Sequence, residues 1–186
     1  MRLIRTIAGA ATLLMLTSGA ARAEGFVTPF IGYNFGGDSG NCRSLTDCEE
    51  KRTNVGVSIG MMGPLVGIEE DISFAQNFFG DAPGAKNSVF SAMTNMIVGL
   101  GVGPIRPYVV GGVGLIRPHV SSFSIDSDKN AFGYDFGAGV GGYLTNHVGL
   151  RADVRHFHTL QDIDVLIFDG EKLAFWRASL GLSFKF

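Results

Sequence analysis

From residue 25 to the last residue the chain runs through eight segments in which apolar residues alternate with glycine or polar ones. The closing stretch, KLAFWRASLGLSFKF, shows it most plainly. Ala174, Trp176, Ala178, Leu180, Leu182, Phe184 and Phe186 share one parity, and Arg177, Ser179, Gly181, Ser183 and Lys185 share the other. Side chains alternate across a β-strand, so this segment makes a strand with one greasy and one largely polar face. Residues 54–61 repeat the pattern, with Val55, Val57, Ile59 and Met61 against Asn54, Gly56, Ser58 and Gly60. So do 131–144 (Phe132, Tyr134, Phe136, Ala138, Val140 and Leu144 against Asp135 and four glycines) and 147–158 (Val148, Leu150, Ala152 and Val154 against Gly149, Arg151, Asp153 and Arg155). Segments 25–36, 65–76, 89–101 and 106–118 complete the set.

The connections alternate in length. Links at 37–53, 77–88, 119–130 and 159–171 are long and polar; those at 62–64, 102–105 and 145–146 are tight. Such a chain goes up and down, with short turns on one rim and long loops on the other, and an even count brings both ends to the same side. Each segment can supply the roughly 9–11 residues that a tilted membrane strand needs. No apolar run is long enough for a membrane helix, which leaves a closed barrel as the way to span. A soluble lipocalin-like barrel is the alternative, with its apolar faces turned inward. It would crowd Phe, Trp and Tyr into a narrow tube and put the charges outside. With charges and glycines inside the volumes fit, and Phe132, Tyr134, Trp176, Phe184 and Phe186 fall toward the strand ends as interface girdles. The expected fold is all-β, an eight-stranded antiparallel up-and-down transmembrane β-barrel.

The N-terminus has an export layout. Two arginines in Met1–Arg5 precede an apolar run, Thr6–Leu16, and Ala21-Arg22-Ala23 offers a small-residue cleavage site. Residues 1–23 are expected to be a cleaved signal peptide and 24–186 a single barrel domain. Of the 15 basic residues, losing Arg2, Arg5 and Arg22 leaves 12 against 17 acidic ones, a net charge of −5. An acidic exported chain is a poor nucleic-acid binder, and none is expected as a partner. Cys42 and Cys48 stand close together in a polar loop; in an oxidising compartment they are expected to form a disulfide that closes a small ring.

In the terminal FWRASLGLSFKF and the preceding VGLRADVRHFHTL, the chain resembles small bacterial outer-membrane barrels of the porin-like type, built on the eight-stranded plan of the membrane domain of outer-membrane protein A. The resemblance implies an integral protein of the Gram-negative outer membrane, with both termini in the periplasm. It also implies outer-membrane lipids and lipopolysaccharide as surroundings. The C-terminal aromatic, here Phe186, would be part of the signal read by the barrel-assembly machinery.

The inward parity collects Glu69, Asp71, Asp135, Asp153, Arg151, Arg155, Arg177 and Lys185, four acids and four bases. Charges held in a lumen just wide enough for side chains should pair, since an unpaired buried charge is costly. A balanced set points to a salt-bridged, largely closed barrel with a structural or surface role; a narrow channel for small solutes is the alternative. Glu69 and Glu70 are adjacent, so alternation turns one of them outward unless a bulge intervenes, and residues 106–118 have two apolar faces; both facings are left open.

Other motifs carry less. Gly137, Gly139 and Gly142 fit G-x-G-x-x-G, but a strand follows where a dinucleotide site needs a helix. Acids at 162, 164, 169 and 171 lack calcium-loop spacing, and Asp169-Gly170 reads as a hairpin turn. His156, His158, Thr159 and Asp162 gather near one strand end, as in barrels that act on lipid A, but no serine accompanies them. Neither a catalytic site nor a metal or cofactor is expected. What the long loops bind is open.

Overall fold

The computed structural model describes residues 23–39, 52–79, 85–122, 125–128, 130–161, 163–165 and 168–186. Cys42, Cys48, Asp162 and the segment 1–22 lie outside the described residues. Eleven strands follow in order: β1 (Glu24–Phe35), β2 (Thr53–Met62), β3 (Val66–Gln76), β4 (Ala85–Gly99), β5 (Ile105–Ser122), β6 (Ile125–Asp128), β7 (Ala131–Tyr143), β8 (Val148–Thr159), β9 (Ile163–Val165), β10 (Phe168–Glu171) and β11 (Ala174–Lys185). Eight of them form a ring in the order β4-β3-β2-β1-β11-β8-β7-β5, which β4 closes by pairing with β5. Every pairing is antiparallel. The eight alternating segments are thus the eight barrel strands, and the closed ring has no free edge.

The tight turns at one rim are held by backbone bonds. At Gly103-Pro104, Val102 and Ile105 exchange two, at 2.8 and 3.3 Å. Gly103 takes a φ of +63°, which glycine adopts without steric cost. In the turn after β7, the Thr145 hydroxyl accepts from the amides of His147 and Val148. At the same rim Phe186 exchanges backbone bonds with Gly25, so the last residue is paired into the sheet.

The long-loop rim is more ordered than a reading of polar loops suggests. β4 and β5 continue their ladder out to Ala85↔Ser122, and β6 adds to β5. The link between β8 and β11 contains a β9–β10 ribbon with Phe168 opposite Val165 and Glu171 opposite Ile163. Asp169-Gly170 therefore lies within a strand and is not the hairpin turn expected of it.

Facing follows parity around the ring. Ile31, Val55, Ile59, Val109, Val113, Val154 and Leu180 are exposed on the outside, while Asn34, Asn54, Ser58, Asp71, Asn95 and Asp135 are buried inside. β5, with two apolar faces, turns Tyr108, Val110 and Ile116 inward. β3 keeps a regular register with both neighbours through Glu69 and Glu70, so no bulge intervenes. Glu69 is buried, and Glu70 is exposed on the outer face with the Thr94 hydroxyl donating to its carboxylate at 2.9 and 3.0 Å.

The glycines of β7 show what inward glycine is for. A Cβ at Gly137 would stand 2.2 Å from the Val154 carbonyl and 2.9 Å from the Arg155 side chain; one at Gly139 would stand 2.4 Å from the Tyr108 hydroxyl. These two glycines of the G-x-G-x-x-G string line the wall where Arg155 and Tyr108 lie against it, and no helix follows.

Candidate functional site

The lumen is filled in three tiers. Toward the long loops lies an apolar tier that includes Phe78, Phe79, Phe157, Phe175, Leu173 and Met93. Toward the short turns lies a smaller one of Phe26, Met62, Ile97, Tyr108 and Val110. Between them sits an ionic tier drawn from β3, β7, β8 and β11, whose inward parity turns one charged residue after another into the lumen.

Arg155 is the hub and is wholly buried. Its Nη2 lies 2.8 Å from Glu69 Oε1 and 3.0 Å from Asp153 Oδ2, and its Nη1 lies 3.5 Å from Asp71 and 3.7 Å from Asp135. Arg177 donates to Asp71 at 2.8 Å and to the Ser73 hydroxyl at 3.0 Å. Its guanidinium lies between the rings of Phe30 and Phe157, at 4.8 and 4.7 Å. Arg151 donates to Glu69 at 2.7 Å and to the Tyr108 hydroxyl at 2.6 Å, and Tyr108 donates in turn to Asp153 at 2.7 Å. Cations over aromatic faces and carboxylates with several donors are how buried charge is tolerated.

Neutral residues complete the tier. The Ser58 hydroxyl donates to Asp71 at 3.0 Å and that of Ser179 to Asp153 at 2.8 Å. With its amide turned to suit both neighbours, Asn95 donates to Asp135 at 2.6 Å and accepts from Arg155 at 3.0 Å. Tyr108, Asn95 and the serines escape a reading that collects only charges. The signal that could have found Asn95 and the serines is parity, since each takes the inward parity of its own strand; Tyr108 lies on β5, whose two apolar faces give no such signal.

Seven of the eight sequence-selected charges meet in this tier. Lys185 does not. It lies at the short-turn rim, where it pairs with Glu24 and stands 4.3 Å from the Tyr143 ring. The four-to-four balance read from sequence therefore becomes four carboxylates and three guanidiniums within the tier. Glu24 is 161 positions away along the chain, and only closure of β1 onto β11 brings it near.

The histidine group divides across the wall. Thr159 is buried inside, where its hydroxyl accepts from the Leu173 amide at 2.9 Å. His156 and His158 face outward among aromatic rings, with Trp176 4.8 Å from His156 and Tyr134 stacked on His158 at 5.4 Å. Among the described members of that group, the Thr159 hydroxyl and the two imidazoles lie on opposite faces of the wall. Among the described residues, no cluster of three or more His, Cys, Asp or Glu could hold a metal ion. Phe186 is 80% exposed on the outer face at the short-turn rim.

No curated relative matches the chain by sequence. Solved structures match by shape. The chain is similar to Neisserial surface protein A at 17% identity, covering 87% of this chain and 95% of that one with a TM-score of 0.62. It is similar to the N-terminal β-barrel domain of Pseudomonas aeruginosa OprF at 18% identity, with 88% and 97% covered and a TM-score of 0.58. It is also similar to E. coli outer membrane protein W at 14% identity, with 90% and 100% covered and a TM-score of 0.54. At these identities the likeness shows the fold. The family is shown by the sequence itself, which matches the outer membrane protein beta-barrel domain over residues 8–186. The greasy outer wall, the polar lumen and that match agree: the chain belongs to the outer-membrane β-barrel family, and its place is the bacterial outer membrane.

Proposed function

We propose that this protein serves the envelope as a closed barrel, with a structural role or one exercised through its surface loops, and that it is not an enzyme. The observation that carries the reading is Arg155, held by four carboxylates and sealed between two apolar tiers. A permeation path would have to cross all three. The name of Neisserial surface protein A supports a surface role by analogy of fold. The outward, aromatic-stacked setting of His156 and His158 supports an interfacial place for them and argues against lipid A chemistry.

In the same reading residues 1–23 direct export and are removed, the short-turn rim and both termini face the periplasm, and the long loops face outward among lipopolysaccharide. Cys42 and Cys48 form a disulfide in the first long loop, and Phe186 is read by the assembly machinery. The test is single-channel conductance of the refolded chain 24–186 in a planar bilayer, with insertion verified by a heat-sensitive shift in gel mobility. Inserted protein without current steps is the expected result. Reproducible steps would overturn the closed lumen in favour of a narrow channel.

A further inference from the structure

At the short-turn end the inner wall carries two arginines in one register row. Arg106 of β5 lies opposite Gly141 of β7, and Gly141 lies opposite Arg151 of β8. All three line one cavity of about 40 Å³, with Phe26, Tyr143 and Ser183 among its other walls. Gly141 leaves the wall between the two arginines open: a Cβ placed there would meet nothing nearer than 4.0 Å, and the Arg106 guanidinium leans toward the turn before β5, with Nη2 3.8 Å and Nε 3.9 Å from where a Cβ of Gly101 would stand. Arg106 and Tyr143 also border a second space at the short-turn rim, a vestibule of about 300 Å³ edged by Glu24, Lys185 and Thr145.

The charges around this space are unequally satisfied. Lys185 is taken by Glu24. Arg151 spends Nη1 on Glu69 and Nε on Tyr108, while its Nη2 is buried with no hydrogen-bond partner. Arg106 makes no ion pair among the described residues. The ionic tier does hold a surplus carboxylate, and Asp135, whose nearest guanidinium is 3.7 Å away, is the least engaged of the four. It faces Gly112, however, six residues along β5 from Arg106, which is roughly 20 Å of strand. A water could satisfy the Nη2 hydrogen, but it would not offset two like charges flanking an open gap. An anion does both, because its oxygens accept charge-assisted bonds from both forks.

We propose that the space between Arg106 and Arg151, over Gly141, is a binding site for a small anion with a carboxylate or phosphate head. The head lies between the guanidiniums and the rest of the molecule extends into the vestibule. Entry is from the short-turn rim, so the site works whether or not the lumen conducts. The cavity lies within the lower apolar tier, whose Phe26, Met62, Ile97 and Tyr108 help to line it.

The test uses the refolded chain in uncharged maltoside micelles, with the Nε–H resonances of Arg106 and Arg151 followed by nitrogen-15 NMR. Inorganic phosphate and acetate are titrated as free anions, and phosphatidylglycerol is doped into the micelles in a separate series. Saturable shifts at both arginines with phosphate or acetate support the site and assign a free ligand. Saturation with phosphatidylglycerol alone supports it and assigns a lipid head group. Arg106→Gln is expected to weaken binding about tenfold, the loss of one charge-assisted contact. Gly141→Val, which keeps both charges and fills the gap, is expected to abolish it, and Lys172→Gln, exposed near the other rim, to leave it unchanged. Each variant is first shown to keep its heat-sensitive gel shift. Shifts that rise linearly without saturating, or that survive Gly141→Val, overturn the proposal.

Discussion

Replacing Arg155 by methionine tests the ionic tier at its hub. The side chain is wholly buried and lies within 3.0 Å of oxygens on Glu69 and Asp153, with Asp71 and Asp135 at 3.5 and 3.7 Å. Methionine fills much of the volume but carries no charge, so four carboxylates would face two guanidiniums. Removing one partner of a buried pair costs about 3–5 kcal/mol, because the remaining charge stays buried without compensation. The assay is equilibrium urea unfolding from lipid vesicles, read by the fluorescence of Trp176, the single tryptophan. With a slope of roughly 2 kcal/mol per molar urea, the midpoint should fall by about 2 M. Asp135→Asn added to Arg155→Met is the decisive companion, since among the described residues Arg155 is the one guanidinium within ion-pair reach of Asp135. The double variant returns the tier to a single surplus acid and should recover more than half the loss. A single variant within about 1 kcal/mol of the parent, or a double variant that merely adds a second loss, would refute the account of the tier as a coupled charge network.

Further outcomes follow from the wall and the rims. Gly139→Ala places a methyl 2.4 Å from the Tyr108 hydroxyl that serves Arg151 and Asp153, and should cost about 1–3 kcal/mol in the same urea assay. Gly141→Ala, with open space at its Cβ, should cost less than 1 kcal/mol, and equal costs would contradict the steric reading. Glu70→Leu removes a carboxylate from the middle of the outer face of β3 and should raise stability in vesicles by about 1 kcal/mol, an effect absent in detergent-free urea refolding intermediates that never insert. Phe186→Ala should slow assembly into the outer membrane, seen as accumulation of the heat-insensitive form in pulse-labelled cells, while leaving the melting of assembled protein nearly unchanged.

The ring of strands was legible because period-two alternation and alternating link lengths are properties of local sequence. β11 could be read from 174 to 186 without knowing its partners. What lay beyond reach depends on contacts between distant segments. Lys185 shares its parity with Arg177 and was grouped with it, but eight residues of strand carry it to the rim, where β1 brings Glu24 beside it. The apolar tiers were half visible, since Phe157 follows Arg155 at the same parity and Phe175 precedes Arg177. A rule that sends every aromatic to the lipid face hides them. Tyr108 went unnoticed for another reason: both faces of β5 are apolar, so alternation gives no side, and the facing is set by its neighbours β4 and β7. Glu70 is the reverse case. Strict alternation gave the right answer, and the cost of a lipid-facing acid made a bulge attractive that the register does not contain.

The order of the tiers bears on function more than the number of ion pairs does. A ring of charge open at both ends would be hydrated, its pairs would be weak and exchangeable, and ions could pass by trading places with side chains. Here aromatic and aliphatic side chains lie above and below the charges, and Arg177 and Arg151 are themselves covered by the rings of Phe30, Phe157, Phe26 and Tyr108. Excluding water strengthens each attraction inside the tier and raises the cost of breaking it. In the closed-barrel function proposed above, opening a path requires the apolar tiers to part at the same time as Arg155 leaves its four carboxylates. Two guanidiniums of the tier keep a buried donor without a partner, Arg177 at Nε and Arg151 at Nη2. Of these, Arg151 is the one that lines the cavity toward the short-turn mouth, where Arg106 stands one glycine away across the sheet.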